Sequence, residues 1–428
     1  MSTRFDFIIA GNTAAEAALA ALLAHDGHAV LLASATALQP VVRCGGEWHD
    51  TVPPQWAGLS EGPYARIAAY LGVYLPVVRR EPAWRVHVAQ RAIDVPGDIG
   101  QWRRWRRALF PAQADAASRF WQAQEVAAAA ALRLAEQFDP LAQLQVLRQQ
   151  RVTVGDMLRR YQLVDPSLRN FIDTVLTASG LPASDHCPWP AGSVALLPPA
   201  EALAGDAATL RRLFADALIR AGGEWRPKQR AVALITTPTH VIGVRLAGGE
   251  EVYARAVVLG PAAWRLAVHS GHALPAIAAR YIAIDNAWLP SDAPLRQIVA
   301  GTPAPIIVSL SPSNEPAAHR RRLTVAMRLT NAEATQLSRA APRARRQRRE
   351  TLGAVLQAAI ATALPSLAQA NQLSTTTALL RDPTIPAARP PAAQAGLWLL
   401  CSPPWLPPGY DNGSSVLRLY RQLRGLVS

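Results

Sequence analysis

The stretch that decides the fold is FDFIIAGNTAAEAALAALLAHDGHAVLLA, residues 5–33. Residues 5–10 predict a buried strand, and the turn at Gly11 leads into an Ala- and Leu-rich helix over residues 14–24. Gly27 ends that helix, and residues 28–33 predict a second buried strand. A strand, a tight glycine turn, a helix and a parallel strand within about 30 residues form a dinucleotide-binding βαβ unit. We therefore predict an α/β fold.

The bulk composition indicates a globular protein with more than one domain. The chain has 428 residues, half of them hydrophobic, and a formal charge of +14 that is nearly all arginine, since Lys228 is the only lysine. Such a positive field favours anionic surfaces. The three cysteines are far apart, so neither a disulfide framework nor a cysteine zinc site is predicted. No signal-peptide pattern and no apolar run of about 18 residues is found, so we expect a cytoplasmic protein.

The rest of the chain predicts a helical region followed by a second sheet. Residues 70–190 alternate helical segments with Pro-containing breaks, which favours a helical cap domain. The remaining predicted helices are residues 207–221, 349–364 and a last one from about 414, and the predicted strands are residues 232–236, 241–246, 254–259, 306–310, 323–329 and 396–401.

Several motifs in this order resemble the phytoene desaturase and amine oxidase superfamily of FAD-dependent oxidoreductases. The most specific stretch is ALIRAGGE, residues 217–224, followed by residues 241–244, Gly248-Gly-Glu250 and residues 257–259 at family spacing. The element Arg43-Cys-Gly45-Gly46 resembles the Arg-x-Gly-Gly motif after the second strand. Arg389-Pro390 and Gly396-Leu-Trp-Leu resemble the last cofactor motif.

The resemblance implies a two-domain α/β architecture. A Rossmann-like, FAD-type domain would comprise residues 1–70, 195–265 and 375–428. A substrate or cap domain of helices and a second sheet would comprise residues 71–194 and 266–374.

The phosphate-binding turn departs from the family pattern. Gly11, Thr13 and Glu16 occupy the three glycine positions of Gly-x-Gly-x-x-Gly, so only the first glycine is present. Glycines there let the backbone approach the pyrophosphate, and free N–H groups at the helix start donate to it. Thr13-Ala-Ala-Glu16 is instead a capping box, which satisfies the helix start internally.

Two further cofactor motifs also depart from the family. Ser34 stands where the superfamily has an acidic residue that binds the adenosine ribose, and Cys401-Ser402 stands where it has Gly-Asp for the ribityl–phosphate arm. Gly45, Gly46 and Ala231 remain compatible with cofactor contacts, or equally with ordinary turn and strand roles. The resemblance thus places any cofactor contacts at Gly11, Asn12, Thr13, Ser34, Arg43, Gly45, Gly46, Ala231 and Ser402. We predict that FAD is bound weakly or not at all.

Three functional hypotheses follow from this resemblance. In the first, the frame binds a long apolar isoprenoid- or carotenoid-like molecule without ordinary flavin turnover, by analogy with Rab GDP-dissociation inhibitors. In the second, it is a working FAD-dependent desaturase, isomerase or amine-oxidase-like enzyme. In the third, it is a non-catalytic subunit of a larger assembly. The sequence identifies no catalytic residue.

One segment suggests contact with a membrane surface. On a helix, residues 101–107 (QWRRWRR) would form an apolar stripe flanked by arginines, a pattern typical of interfacial helices. The candidates are Trp102, Arg103, Arg104, Trp105, Arg106 and Arg107. The alternative, which we favour, is a cap-domain helix with its tryptophans in the core. Further arginines at 320–322 and 343–349 would suit anionic lipid, whereas no nucleic-acid module is recognised.

Two other groups of residues contain residue types that occur in metal or catalytic sites, but their spacing favours loops. His269 and His272 are close in sequence, but two imidazoles without a third ligand favour a polar loop over a metal site. Asp185-His186-Cys187 has the residue types of a nucleophile and its base, yet adjacent side chains rarely point at each other, so we interpret it as a loop.

Overall fold

The computed structural model describes residues 4–34, 41–51, 55–56, 58–88, 91–137, 139–205, 208–267, 276–301, 303–312, 319–369, 374–381, 394–403, 405–407, 410–411 and 413–426. Its strands are β1 (Arg4–Ala10), β2 (Val30–Ala33), β3 (Val41–Cys44), β4 (Glu47–Asp50), β5 (Gln55–Trp56), β6 (Val77–Arg79), β7 (Trp84–Val88), β8 (Arg91–Val95), β9 (Glu201–Leu203), β10 (Glu224–Arg226), β11 (Ala231–Thr236), β12 (Val241–Leu246), β13 (Glu251–Leu259), β14 (Ala276–Asp285), β15 (Arg296–Val299), β16 (Ile306–Leu310), β17 (Arg320–Arg328), β18 (Ser374–Arg381), β19 (Leu397–Leu399) and β20 (Tyr410–Asp411).

The helices are α1 (Ala14–His25), α2 (Pro63–Tyr70), α3 (Ile99–Leu109), α4 (Ala114–Glu136), α5 (Pro140–Gln149), α6 (Val154–Arg160), α7 (Pro166–Ala178), α8 (Trp189–Ala195), α9 (Thr209–Arg220), α10 (Asn331–Arg339), α11 (Pro342–Ala363) and α12 (Ser414–Arg424).

The first sheet has the strand order β10-β2-β1-β13-β12-β11 over the described residues, with β19 also beside β13. The strands β10, β2, β1, β13 and β19 run parallel, whereas β11 and β12 form an antiparallel meander. Helix α1 packs on one face together with α9 and α12. Because α1 is apolar on almost every side, this central position buries nearly all of it.

The second sheet has the strand order β18-β14-β17-β16-β15-β7-β8 and is antiparallel except where β15 meets β7. Side chains alternate between its two faces. One face, with Ile282 and Met327, forms a core with Leu356 and Ile360 of α11. The other face packs against α7 and other helices of the cap region, and against the hairpin formed by β3 and β4.

Most predicted elements are present, with two notable differences. The helical prediction for residues 70–190 is correct from α3 to α8 but wrong for residues 77–79, 84–88 and 91–95, which form β6, β7 and β8. The segment Trp84–Val88 alternates buried and half-buried residues with period two, which is the pattern of a strand. Helix α11 begins at Pro342, seven residues before the predicted start, because its first turns are exposed and carry arginines instead of an apolar stripe. The proposed domain boundaries stay a prediction.

Candidate functional site

The candidate site lies where the carboxyl ends of β1, β2 and β13 meet the start of α1. The Gly11 N–H donates to the Ala33 carbonyl at 3.1 Å, and the Gly260 N–H donates to the Ala10 carbonyl at 2.8 Å. These bonds bring Gly11, Ser34 and Gly260 to one edge of the sheet. The carboxyl ends of parallel strands are where doubly wound folds bind nucleotides.

Glu16 is completely buried at this edge. Its Oε2 accepts a hydrogen bond of 2.8 Å from the Thr13 backbone N–H, and the Thr13 hydroxyl also donates to Oε2. The predicted capping box is therefore present. The carboxylate of the protein itself lies at the helix start, where a bound phosphate would otherwise accept from backbone N–H groups.

The glycines around Glu16 make room for its side chain. A Cβ atom on Gly11 would lie 2.5 Å from Glu16 Oε1, and a Cβ atom on Gly260 would lie 1.7 Å from the same oxygen. Both distances are far below van der Waals contact. Gly11 and Gly260 thus permit a close approach, as glycines at nucleotide sites do, but the group that approaches them here is a carboxylate of the protein.

Ser34, at the end of β2, is enclosed by two long side chains. Arg211 of α9 donates from Nη2 to Ser34 Oγ at 3.1 Å, and Trp225 of β10 donates from Nε1 to the same oxygen at 3.1 Å. The Arg211 guanidinium lies over the Trp225 ring, 5.4 Å from its centroid. In the family that the sequence resembles, an acidic residue at this position binds a ribose. Here the position is filled by the contacts of Ser34 with Arg211 and Trp225.

Arg211 also connects the two halves of the site electrostatically. Only 2% of Arg211 is exposed. Burial lowers the pKa of Arg211 to about 10, and the negative charge of Glu16 opposes that decrease. Glu16 and Arg211 are therefore two buried side chains of opposite charge that act on each other at this edge of the sheet. The prediction from sequence missed Arg211, although its place on the apolar face of α9 with Phe214, Ala215 and Leu218 is a signal for an internal partner.

The Arg-x-Gly-Gly element forms the turn of the β3–β4 hairpin. Gly45 and Gly46 have φ values of 59° and 89° and join Cys44 to its paired residue Glu47. Positive φ at both central residues defines a type I′ turn, which explains both glycines without a cofactor. Arg43 is exposed, and its guanidinium lies over Trp48 at 5.7 Å.

The other predicted cofactor-site residues lie at different depths. Asn12 and Ala231 are both 8% exposed, and Ala231 belongs to the apolar cluster that contains Ala10 and Ala33. Ser402 is exposed, whereas burial raises the pKa of the neighbouring Cys401 thiol. Arg389 and Pro390 lie outside the described residues, as do His269 and His272.

The segment Asp185-His186-Cys187 does not have the geometry of a nucleophile and its base. The Asp185 carboxylate pairs with Arg159 at 3.2 Å and with Arg169. Cys187 is completely buried, and this burial raises the pKa of its thiol to about 12. The geometry agrees with the interpretation as a loop. In the ranges listed above, no group of three or more His, Cys, Asp or Glu side chains is arranged to hold a metal ion.

Helix α3 carries the predicted membrane-surface residues, and the structure separates them. Trp102 is 1% exposed and packs against Trp121 and Phe171 in the cap core, whereas Trp105 is 43% exposed. Arg106 is buried over the Trp121 ring, while Arg103, Arg104 and Arg107 are exposed. The apolar stripe is therefore divided between core and surface. Membrane contact by this helix stays a prediction, and no described helix is long and apolar enough to cross a bilayer.

Glu125 of α4 holds α3 through two arginines, which gives a pH-dependent prediction. Its carboxylate contacts Arg103 at 2.5 Å and Arg106 at 2.7 Å. Burial alone would raise the pKa of Glu125, but the hydrogen bonds from both arginines outweigh it and lower the pKa below the ordinary 4.5. The stabilisation is therefore complete above about pH 4.5 and is lost as the pH falls through the lowered pKa of the folded protein.

We expect Glu125→Gln to lower the free energy of unfolding at pH 7 by about 1 kcal/mol and to flatten its dependence on pH in the acid range. Urea denaturation followed by circular dichroism between pH 3 and pH 7 measures both effects. Asp115→Asn is the matched control, because the Asp115–Arg107 pair is exposed. Equal pH profiles for Glu125→Gln and the natural protein would contradict the assignment.

The comparisons with known proteins identify the fold. No protein-family model matches the sequence, and no curated protein matches it. Among solved structures, wild-type putrescine oxidase bound to putrescine superposes with a TM-score of 0.62 at 14% identity, covering 100% of both chains. Rab GDI from Plasmodium falciparum superposes with a TM-score of 0.57 at 11% identity, covering 100% of this chain and 98% of that one. The chain has the FAD-dependent oxidoreductase/GDI fold.

A third structure of this fold is a geranylgeranyl bacteriochlorophyll reductase-like protein from Thermoplasma acidophilum. Its TM-score is 0.52 at 13% identity, covering 99% of this chain and 79% of that one. The fold prediction is thereby confirmed. At such identities the likeness shows the fold alone, so function has to be argued from the site.

Proposed function

We propose that this chain uses the oxidoreductase/GDI fold as a binding frame for a long apolar molecule of the isoprenoid kind, without flavin chemistry. The observation that carries the proposal is the buried Glu16 carboxylate, which fills the space between Gly11 and Gly260 and accepts from the start of α1. In dinucleotide-binding folds this edge of the sheet holds the pyrophosphate, which FAD also carries. The residues present do not fit the cofactor.

The energetics argue against a phosphate at this edge. A phosphate charge about 5 Å from Glu16 would be repelled by roughly 3 kcal/mol at an effective dielectric constant near 20. It would also have to displace the bond between the Thr13 N–H and Glu16. A ribose near Ser34 would meet Arg211 and Trp225, because both side chains already donate hydrogen bonds to the Ser34 hydroxyl. At both the phosphate and the ribose positions, groups of the protein itself thus make the hydrogen bonds that a cofactor would otherwise make.

The class of ligand is inferred from the fold and from the volumes of two cavities. By analogy, the structural similarity to the geranylgeranyl bacteriochlorophyll reductase-like protein from Thermoplasma acidophilum supports a prenyl-type ligand. A groove of about 450 Å³ has the volume of a small-molecule site, and both apolar and polar residues line it: Gly58, Ser60, Glu61, Val77, Arg79 and residues 198–201. Between α7 and the second sheet the cavity is only about 10 Å³, so a long ligand enters there only if the cap helices move.

The proposal predicts a colourless protein. We expect gently purified protein to show no flavin absorbance between about 300 and 550 nm, before or after denaturation, and to remain colourless after incubation with FAD and removal of the excess. Absorbance spectroscopy with free FAD as the positive control measures this. Release of stoichiometric FAD would instead support a working FAD-dependent oxidoreductase, and a stable co-purifying protein would support a subunit role.

A further inference from the structure

Helix α5 carries leucines on the side that faces away from the protein core. Leu141, Leu144 and Leu147 are 80%, 47% and 52% exposed. They follow one another at intervals of three residues, so they form a ridge along one side of the helix. Single exposed apolar side chains need no explanation, whereas several together mark a contact surface. We call these three residues the leucine ridge.

Other residues occupy the core side of α5. Ala142 and Val146 are buried in the cluster that also contains Leu134 and Ala135 of α4. An α-helix turns about 100° per residue, which puts Leu144 on the side opposite Ala142 and Val146. A rotation that buried the ridge would therefore expose the present core contacts. A helix that is apolar on both sides is typical of an element that is covered on both sides.

The backbone of α5 is fixed at both ends, so the ridge is preformed. The Asp139 carboxylate accepts hydrogen bonds of 3.0 Å from the Leu141 N–H and the Ala142 N–H, which caps the start of the helix. At the other end, the Gln150 N–H donates to the Val146 carbonyl at 2.9 Å. A partner that binds the ridge does not have to order this helix first.

The charges beside the leucine ridge are positive. Arg148 lies on the outer side of α5 and Arg151 follows the helix, and both are exposed. The sequence has no Asp or Glu between Asp139 and Asp156. Asp139 itself caps α5, and its carboxylate lies 3.9 Å from the Arg133 guanidinium. An apolar ridge with arginines and without carboxylates beside it is typical of a helix that lies in the interface of an anionic membrane.

The area of the ridge favours a membrane over a second copy of the chain. A leucine side chain offers on the order of 100 Å² of apolar surface, so the ridge offers about 300 Å². Each partner in a stable protein–protein interface buries about 800 Å². Binding to a membrane surface has no such requirement, because apolar insertion and attraction to anionic lipids both contribute to it.

We propose that the leucine ridge of α5, together with Arg148 and Arg151, binds the surface of an anionic lipid bilayer. The leucines insert between the lipid headgroups and the acyl chains, and the arginines contact the lipid phosphates. The proposal goes beyond the function proposed above and does not rest on it, because a flavoenzyme would use the same surface equally well. Helix α3 differs from α5 in that it exposes a single large apolar residue, Trp105.

Co-sedimentation of the full-length protein with lipid vesicles tests the proposal. The vesicles contain phosphatidylcholine alone, or phosphatidylcholine and phosphatidylglycerol in equal parts, and the bound fraction is measured against lipid concentration. We expect the natural protein to bind the mixed vesicles. Leu141→Gln, Leu144→Gln and Leu147→Gln together should weaken this binding at least about tenfold, because apolar insertion is lost. Arg148→Gln combined with Arg151→Gln should weaken it at least about fivefold.

The matched control replaces an apolar residue and an arginine on another helix. Ile219 and Arg220 of α9 are exposed, and Ile219 is 52% exposed, as Leu147 is. Ile219→Gln combined with Arg220→Gln should leave vesicle binding unchanged. Circular dichroism shows whether each variant is folded. If the triple leucine variant fails to fold, Leu141→Gln alone changes the most exposed leucine and should weaken binding about threefold.

Three outcomes would overturn the proposal. The first is a natural protein that does not bind the mixed vesicles. The second is a folded triple leucine variant that binds them as tightly as the natural protein. The third is a dimer in analytical ultracentrifugation without lipid that the leucine substitutions convert to a monomer while vesicle binding stays unchanged, which would assign the ridge to a second copy of the chain. Release of FAD in the absorbance test would overturn the function proposed above and leave this surface unaffected.

Discussion

Glu16→Gln is expected to lower the free energy of unfolding by about 3 kcal/mol, because it removes a buried negative charge that acts on the buried Arg211 guanidinium. Glutamine retains an oxygen that can accept from the Thr13 N–H, so the substitution removes the charge and keeps the helix cap. Urea denaturation at pH 7 measures the difference.

A double-mutant cycle tests whether Glu16 and Arg211 act as a pair. We expect Glu16→Gln combined with Arg211→Met to cost less than the sum of the two single changes, by about 1–3 kcal/mol. Glu251→Gln is the control, because its ion pair with Arg245 is exposed and should contribute at most about 1 kcal/mol. Strict additivity would mean that the two charges are independent and would contradict an interaction between Glu16 and Arg211.

Gly396→Ala is expected to destabilise the fold by about 3 kcal/mol or more. Gly396 precedes β19 with a φ of 78°, and a Cβ atom there would lie 2.3 Å from the Val241 carbonyl oxygen. A left-handed conformation costs an L-residue about 1–2 kcal/mol, and steric overpacking adds about 1–3 kcal/mol. The atom that the added Cβ would meet belongs to the backbone. Two hydrogen bonds hold the backbone in place there, from the Val257 N–H to the Gly396 carbonyl and from the Val241 N–H to the Ala395 carbonyl.

The hairpin glycine Gly248 provides the comparison for Gly396→Ala. A Cβ atom on Gly248 would meet nothing within 4 Å, so Gly248→Ala should change the free energy of unfolding by less than about 0.5 kcal/mol. Equal stability of the two variants in urea would show that the junction of β12, β13 and β19 is not packed as described.

Local patterns predicted much of the fold. Strands β12 and β16 match their predicted bounds, and α1 differs from its prediction by one residue, because each is a strongly apolar run between turn residues. The second sheet was less visible in the sequence. Strands β7 and β8 contain charged residues and fall in a region predicted to be helical, and β15 is a four-residue strand with Arg296 at its first position. The placement of Arg296 depends on strands far away in the chain, so no local pattern indicates that it is buried.

The sequence by itself determined the βαβ unit and the capping box of Thr13 and Glu16, because those interactions join residues at most a few tens of positions apart. Only the tertiary structure decided what surrounds Ser34, whose partners Arg211 and Trp225 lie 177 and 191 residues away. Hydrophobic periodicity specifies which face of an element is buried, whereas charge pairing depends on which other faces it meets.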